Sequence, residues 1–536
     1  MGKQMLKGTV AAAAFAFLCI MALPVRAQTR PTESGPVQGL TVINVAQFRG
    51  IPYAAPPVGT LRWQPPHAPL AHAGTLDATK FGPACEQGLT AYPVSEDCLT
   101  LNIYAPASAT AAAKLPVMVW IHGGGFISGA GRDFGGSALV ERGNIVVVTI
   151  NYRLGYLGFL AHPSLSRHDP HHVSGNYGIL DQQAALAWVR RNIAGFGGNP
   201  AKVTIFGESA GGQSVILQLV SPTAGRLSAA IAQSGSYMTT LPTLADAEKS
   251  GQATAKSLGC PSQTWACLLA LPASKIAAAL NPLSSLGAVS AVVDGRTIPL
   301  QPATAFAQGK FQKIPVINGS NHDEYRLFTG LQRGLLNAPA LTKKQYYADL
   351  KSLFGPIAGK VAYAYPLKDF ATPDYDYDAI LTDVAFACNT HLLNAQMARH
   401  TSIWEYELND PNAPVASGPA VAGFSYGSPH SADLSYLFPS YNVKGFHPDG
   451  PPPLSADQKV LRATIQDYWI NMAKTGNPVG PQSPAWPAFT AKAPAILSLV
   501  PPKPTATGSF FLTDHRCGLW KAILLAKAGL PSNSPY

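Results

Sequence analysis

Gly207-Glu208-Ser209-Ala210-Gly211 has the G-x-S-x-G form of a sharp turn that lifts a serine hydroxyl above the end of a strand. The chain holds 49 glycines, so the flanks must decide whether the match is meaningful. Val203-Thr204-Ile205-Phe206 reads as a strand just before the turn, and residues 213–220 read as a helix just after it. A serine hydroxyl attacks a carbonyl carbon at neutral pH only if a base takes its proton and donors hold the oxyanion. His122-Gly123-Gly124-Gly125-Phe126 follows the apolar run Leu115–Ile121 and can supply those donors. Its three glycines leave backbone N–H groups unobstructed, and the N–H of Ala210, next to the serine, adds another donor.

On a sheet that carries such a turn, the serine precedes its acid and then its base along the chain. That order leaves His322, His391, His400, His430, His447 and His515 as candidate bases. His430 lies in the turn-rich stretch Gly427-Ser428-Pro429-His430-Ser431-Ala432-Asp433, backed by an apolar run from Leu434 to Phe438. For the acid, Asp323 and Glu324 end a stretch that begins Lys313-Ile314-Pro315-Val316-Ile317 and turns polar. Catalytic groups gather at the carboxyl ends of strands in open parallel sheets. The residues themselves do not choose between the two acids.

Those groups need a sheet to bring them together. Leu115–Ile121 and residues 144–151 are short, almost continuously apolar and rich in β-branched residues, as expected of strands covered on both faces. Ile179, Leu186, Val189 and Ile193 then fall on one helical stripe closed by Gly195, Gly197 and Gly198. Residues 314–317 and Ile403–Leu408 read as further strands, and residues 458–472 and 518–526 as helices. This alternation predicts an α/β fold, a large mostly parallel central sheet with helices on both faces. No repeat and no linker between two self-sufficient cores is visible, so residues 28–536 read as a single domain.

Residues 1–27 have Lys3 and Lys7, an apolar run from Val10 to Leu23, Pro24 and a small residue at Ala27. That is the pattern of an export signal cleaved after Ala27, too short to span a bilayer and closed by proline. The predicted location is secreted or periplasmic. The remaining chain carries 36 basic and 29 acidic residues, a formal charge of +7, dispersed in the manner of a solvated surface. A nucleic-acid binder would gather its cations on one stripe. With 47% hydrophobic residues the chain can bury a large core. Six cysteines remain beyond Cys19, an even number that suits three disulfides in an exported protein. Spacing favours the local pairs Cys85–Cys98 and Cys260–Cys267, which leaves Cys388 with Cys517. No C-x-x-C pair or neighbouring histidine cluster makes these cysteines zinc ligands.

The chain resembles the type-B carboxylesterase family, which includes cholinesterases and many bacterial and fungal carboxylesterases. The matching stretches are Phe48 to Pro57 (FRGIPYAAPP), Ser95-Glu96-Asp97-Cys98-Leu99, Asn151-Tyr152-Arg153, Gly175-Asn176-Tyr177-Gly178, Phe196-Gly197-Gly198-Asn199-Pro200 and Phe206 to Gly212 (FGESAGG). The resemblance implies an α/β-hydrolase fold and a Ser209, Glu324, His430 triad. It implies Gly124, Gly125 and Ala210 as oxyanion donors, Ser234 as a support behind the triad, and Glu208 as a charge beside the nucleophile. Arg62 with Glu96, and Arg153 with Asp181, resemble structural ion pairs of the family, and the three cysteine pairings agree with it.

Cholinesterases carry a tryptophan in the first disulfide loop that receives a quaternary ammonium by cation–π attraction. Residues 86–97 here read EQGLTAYPVSED, with Tyr92 and no tryptophan, so a general bacterial-type carboxylesterase fits better. The implied activity is hydrolysis of small-molecule carboxylic esters with no cofactor, metal, nucleic acid or stable membrane span. Loops within residues 236–312 and 325–400 would wall the pocket. A catalytically silent binding module of the same family is the rival of another class, and transfer to alcohols or cleavage of amides is the nearer one.

Overall fold

Side chains alternate across a strand, so a run that is apolar at every position must bury both of its faces. The computed structural model shows this directly. Val117, Val119 and Ile121 enter one apolar core together with Val146, Val148 and Ile150. Met118, Trp120 and Val147, between them in sequence, enter another on the opposite face. Helices Tyr177–Asn192 and Ala210–Val220 cover the first face. Ser137–Gly143 and the long Ala456–Thr475 cover the second, the latter with Leu461, Ile465, Trp469 and Met472. Each such buried side chain contributes about 1.5–3 kcal/mol relative to exposure.

The structure describes residues 26–536 except 89, 239, 282–284, 286, 442, 444 and 445. Apart from its last two residues, the export segment expected at 1–27 lies outside the described residues. A 13-stranded sheet forms the centre. Val146–Ile150, Leu115–Ile121, Gly198–Glu208, Ala229–Gln233, Val316–Asn321, Ile403–Leu408 and Ile496–Leu499 lie side by side and all pair in parallel. Antiparallel strands extend the edge beside Val146–Ile150, beginning with Thr100–Pro106 and Val45–Pro52. Among the described residues, no helix is long and apolar enough to cross a membrane.

The strand expected at 314–317 instead spans Val316–Asn321. Asn318, Gly319, Ser320 and Asn321 look like loop residues, yet they are buried and paired along Ile403–Leu408. Neighbouring strands hydrogen-bond this polar backbone, and Asn394 Oδ1 accepts from the Asn318 amide at 2.8 Å, so burial leaves the backbone and the Asn318 amide satisfied. The extension carries the sheet directly to Asp323 and Glu324. The cysteines pair as expected: Cys85–Cys98, Cys260–Cys267 and Cys388–Cys517.

Candidate active site

Ser209 joins the carboxyl end of strand Gly198–Glu208 to helix Ala210–Val220, with φ 57° and ψ −124°. A residue with a side chain takes this conformation only when its surroundings enforce it. The turn is pinned by Ser209 N–H donating to Gln233 O at 2.9 Å and Gln213 N–H donating to Ser209 O at 2.8 Å. A β-carbon at Gly211 would stand 1.9 Å from Ile121 O, so only glycine lets the helix start so close to the neighbouring strand. Local sequence thus determines where the hydroxyl points.

The His122–Gly125 segment runs beside it. A β-carbon at Gly123 would touch the Ser209 β-carbon at 2.9 Å, and Gly124 takes φ +99°, which favours glycine. His122 is buried, stacks on Tyr152 at 4.4 Å between ring centroids, and accepts the Tyr152 hydroxyl on its carbonyl at 2.8 Å. Burial pushes its imidazole down to about 4, so it is neutral under ordinary conditions. Among the described residues, the N–H groups of Gly124, Gly125 and Ala210 donate to no protein acceptor. These are the three groups expected as oxyanion donors.

Histidine and acid arrive from far along the chain. His430 Nε2 lies 2.7 Å from Ser209 Oγ, and His430 Nδ1 lies 2.5 Å from Glu324 Oε2. The other Glu324 oxygen accepts from Ser234 Oγ at 2.5 Å and from Asn321 N–H at 2.7 Å. Ser234 therefore stands behind Glu324 on the side away from His430. Asp323 faces elsewhere: its carboxylate takes the Ser428 N–H at 2.9 Å and Arg326 at 2.9 Å. The geometry thereby separates two acids that sequence left equal. Of the other candidate histidines, His322 lies on Asp323 and Asp514, His391 on Glu405, His447 on Val415 O and His515 between Asp383 and Glu407, while His400 packs edge-on against Phe311.

Charge is concentrated around His430. Burial pulls its pKa down, but the Glu208 and Glu324 carboxylates outweigh this and push it up to about 9. Glu208 Oε1 stands 3.2 Å from His430 Nε2, and burial pushes the Glu208 carboxyl up to about 8. Ser431 Oγ donates to that same Glu208 oxygen at 2.9 Å. Asp433 accepts from Gln233 Nε2 at 2.6 Å, and Gln233 in turn accepts the Trp469 N–H. Phe328 and Phe386 close over the imidazole with centroids 5.3 and 5.2 Å from it.

Sequence reasoning did not single out Ser431, Asp433, Gln87 or the two phenylalanines. Ser431 and Asp433 had a signal, their place within three residues of His430. Gln87 had none: its side-chain amide exchanges two hydrogen bonds with the backbone of Gly129, at 3.0 and 2.9 Å, and so clips the Cys85–Cys98 loop to the glycine loop. Arg62 pairs with Glu96 at 2.6 Å and also donates to the carbonyls of Leu269 and Leu271. Arg153 pairs with Asp181 at 2.7 Å, both fully buried.

Known proteins share this architecture along nearly the whole chain. The carboxylesterase family model matches residues 26–520. Fumonisin B1 esterase of Sphingopyxis macrogoltabida is 38% identical over 494 residues, covering 87% of each chain. Para-nitrobenzyl esterase of Bacillus subtilis strain 168 is 35% identical over 479 residues, covering 85% of this chain and 92% of its own. A solved Geobacillus stearothermophilus carboxylesterase superposes with a TM-score of 0.77 at 31% identity, covering 91% of this chain and 99% of that one. A solved PNB esterase gives 0.74 at 32% identity, covering 90% and 97%. The chain belongs to the carboxylesterase family, as a carboxylic ester hydrolase of the α/β-hydrolase fold.

Proposed function

We propose that the protein hydrolyses small-molecule carboxylic esters through an acyl-enzyme on Ser209. The observation that carries this reading is His430 bridging Ser209 Oγ and Glu324 through its two ring nitrogens. His430 Nε2 takes the hydroxyl proton as Ser209 Oγ bonds to the ester carbon. The oxyanion is held by the N–H groups of Gly124, Gly125 and Ala210, and Glu324 stabilises the imidazolium. His430 then gives its proton to the departing alcohol. In the second half, water adds to the acyl carbon, loses a proton to His430, and that proton returns to Ser209 Oγ as the acid leaves.

A silent binding module would need none of this alignment. Incubation with a fluorophosphonate, digestion and mass spectrometry separates the two readings. Stoichiometric label on Ser209, with turnover of p-nitrophenyl esters, supports the hydrolase; an unlabelled, folded chain would sink it. Hydrolysis is favoured over transfer and amide cleavage by the relatives, which are named as esterases. We also read residues 1–27 as an export signal, supported by three disulfides, which persist in oxidising compartments. N-terminal sequencing of the exported protein should begin at Gln28.

A further inference from the structure

Away from Ser209, two histidines and several carboxylates meet where three distant segments converge. One ring nitrogen each of His322 and His515 and a carboxylate oxygen of Glu407 all lie within 4.8 Å of one another. The two imidazoles stand 5.3 Å apart between centroids, close enough for both to reach one ion at about 2.1 Å after a small adjustment. His515 Nε2 faces Glu407 Oε1, and His322 Nε2 lies 3.1 Å from Asp514 Oδ2. We propose that His322, Glu407 and His515 form a binding site for one first-row divalent cation, with zinc the ion its ligand chemistry favours.

Three observations carry this further than a chance cluster. The far nitrogens are already held: His515 Nδ1 lies 2.5 Å from Asp383 Oδ1, and His322 Nδ1 lies 3.2 Å from Asp323 Oδ1. Histidines that bind metals are oriented by just such carboxylates on the other ring nitrogen. The support continues outward, since Tyr365 donates its hydroxyl to Asp383 at 2.5 Å and Trp520 donates its N–H to Tyr365 at 2.8 Å.

The donor set is also selective. Two imidazoles with one carboxylate make a three-ligand N/O set, open to one water, that suits zinc and its first-row neighbours better than magnesium or calcium. Charge balance asks for a dication as well. Asp323, Asp383, Glu407 and Asp514 surround two imidazoles, with Arg326 on Asp323 and Arg516 beside Asp514, which leaves two negative charges to be balanced. Either a proton on each imidazole or one divalent ion between them supplies two positive charges. Binding would therefore release up to two protons to solvent and leave the net charge unchanged.

The position gives the ion a structural role outside the chemistry. His322 immediately follows strand Val316–Asn321 and precedes Glu324 by two residues. Glu407 lies on strand Ile403–Leu408, and His515 follows helix Phe510–Asp514 and precedes helix Cys517–Lys527. One ion would tie the acid-bearing loop to the C-terminal helices. This inference does not rest on the esterase reading, and its readouts are independent of activity.

The test uses the full-length protein, stripped with dipicolinate and desalted. Zn2+ is titrated by calorimetry, retained metal is counted after dialysis, and Co2+ is substituted for its visible spectrum. The expected result is one ion per chain, a four-coordinate cobalt spectrum and a higher Tm with metal. His322→Ala, at a part-exposed position that leaves the fold standing, and Glu407→Gln, which keeps the side chain's shape, should each weaken Zn2+ binding about tenfold or more. His67→Ala, at an exposed histidine elsewhere, should change nothing. If no ion is retained, or if both cluster variants bind it as tightly as the parent, imidazolium protons alone balance the cluster and the site does not exist.

Discussion

Glu208 Oε1 lies 3.2 Å from His430 Nε2, the nitrogen that faces the Ser209 hydroxyl at 2.7 Å. A carboxylate there favours the imidazolium, whereas the proposed mechanism needs a neutral His430 to take the serine proton. Glu208 also sits in the field of Glu324 and Asp433, and it is close to Tyr152, Tyr237, Tyr406 and Tyr441, so its charge is poorly solvated and easily changed.

The pH dependence follows in sign. His430 is pushed up to about 9, above the ordinary histidine value near 6.5, so kcat/KM for a neutral ester should climb through neutrality into the alkaline range. Glu208→Gln removes one of the two nearest anions and should move the rising limb toward acid. A limb that stays put in this variant would show that Glu208 does not set the charge on His430.

Ser431 offers a finer control on the same pair. Its φ is +67°, a conformation glycine adopts freely, so Ser431→Gly should fold at least as well as the parent. The variant loses the hydroxyl that favours the charged form of Glu208. Its rising limb should therefore shift in the same direction as that of Glu208→Gln, while Ser431→Asn, which tolerates this backbone and carries a donor, should restore the parent profile.

Gln87 should act on the rate constant more than on substrate binding. Gln87→Ala removes both hydrogen bonds to Gly129, four residues past Gly125. Each is worth about 1 kcal/mol, and an oxyanion loop freed to drift should lower kcat about tenfold or more with little change in KM. A trifluoromethyl ketone, which forms an oxyanion on the serine, should lose affinity in step with kcat. Loss of thermal stability with unchanged kcat would reduce Gln87 to a structural tie.

The two acids after strand Val316–Asn321 should separate cleanly. Glu324→Gln keeps the shape but lets His430 adopt the wrong tautomer, a change expected to lower kcat on the order of 10⁴-fold. Asp323→Asn disturbs Ser428 and Arg326, and should cost less than about tenfold. Steady-state kinetics of both variants on one ester decides the assignment.

Breaking the buried pair Arg153 and Asp181 should unfold more than it inactivates. Arg153→Ala strands a fully buried carboxylate, a loss of about 3–5 kcal/mol. Replacing both partners with apolar residues of similar volume should recover much of that in urea melts, because no charge is then left unpaired.

Sequence by itself determined whatever is local or periodic. The turn at Ser209 is specified by glycines whose neighbours leave no room for a β-carbon, and the strand Ile403–Leu408 forms where the sequence predicts one. Helix Tyr177–Asn192 follows from its stripe of Ile179, Leu186 and Val189. Other relationships were decided only by tertiary structure. His430 reaches Ser209 across 221 residues and Glu324 across 106, because parallel strands deliver their carboxyl ends to one edge of the sheet. The difference between Asp323 and Glu324 depends on which side of one turn each carboxylate leaves, and no pattern of residue types encodes that. The polar end of Val316–Asn321 was hidden for the same reason: its amides are satisfied by neighbouring strands, whose positions come from the whole sheet. The meeting of His322, Glu407 and His515 belongs to this class too, since their segments are adjacent in space and far apart along the chain.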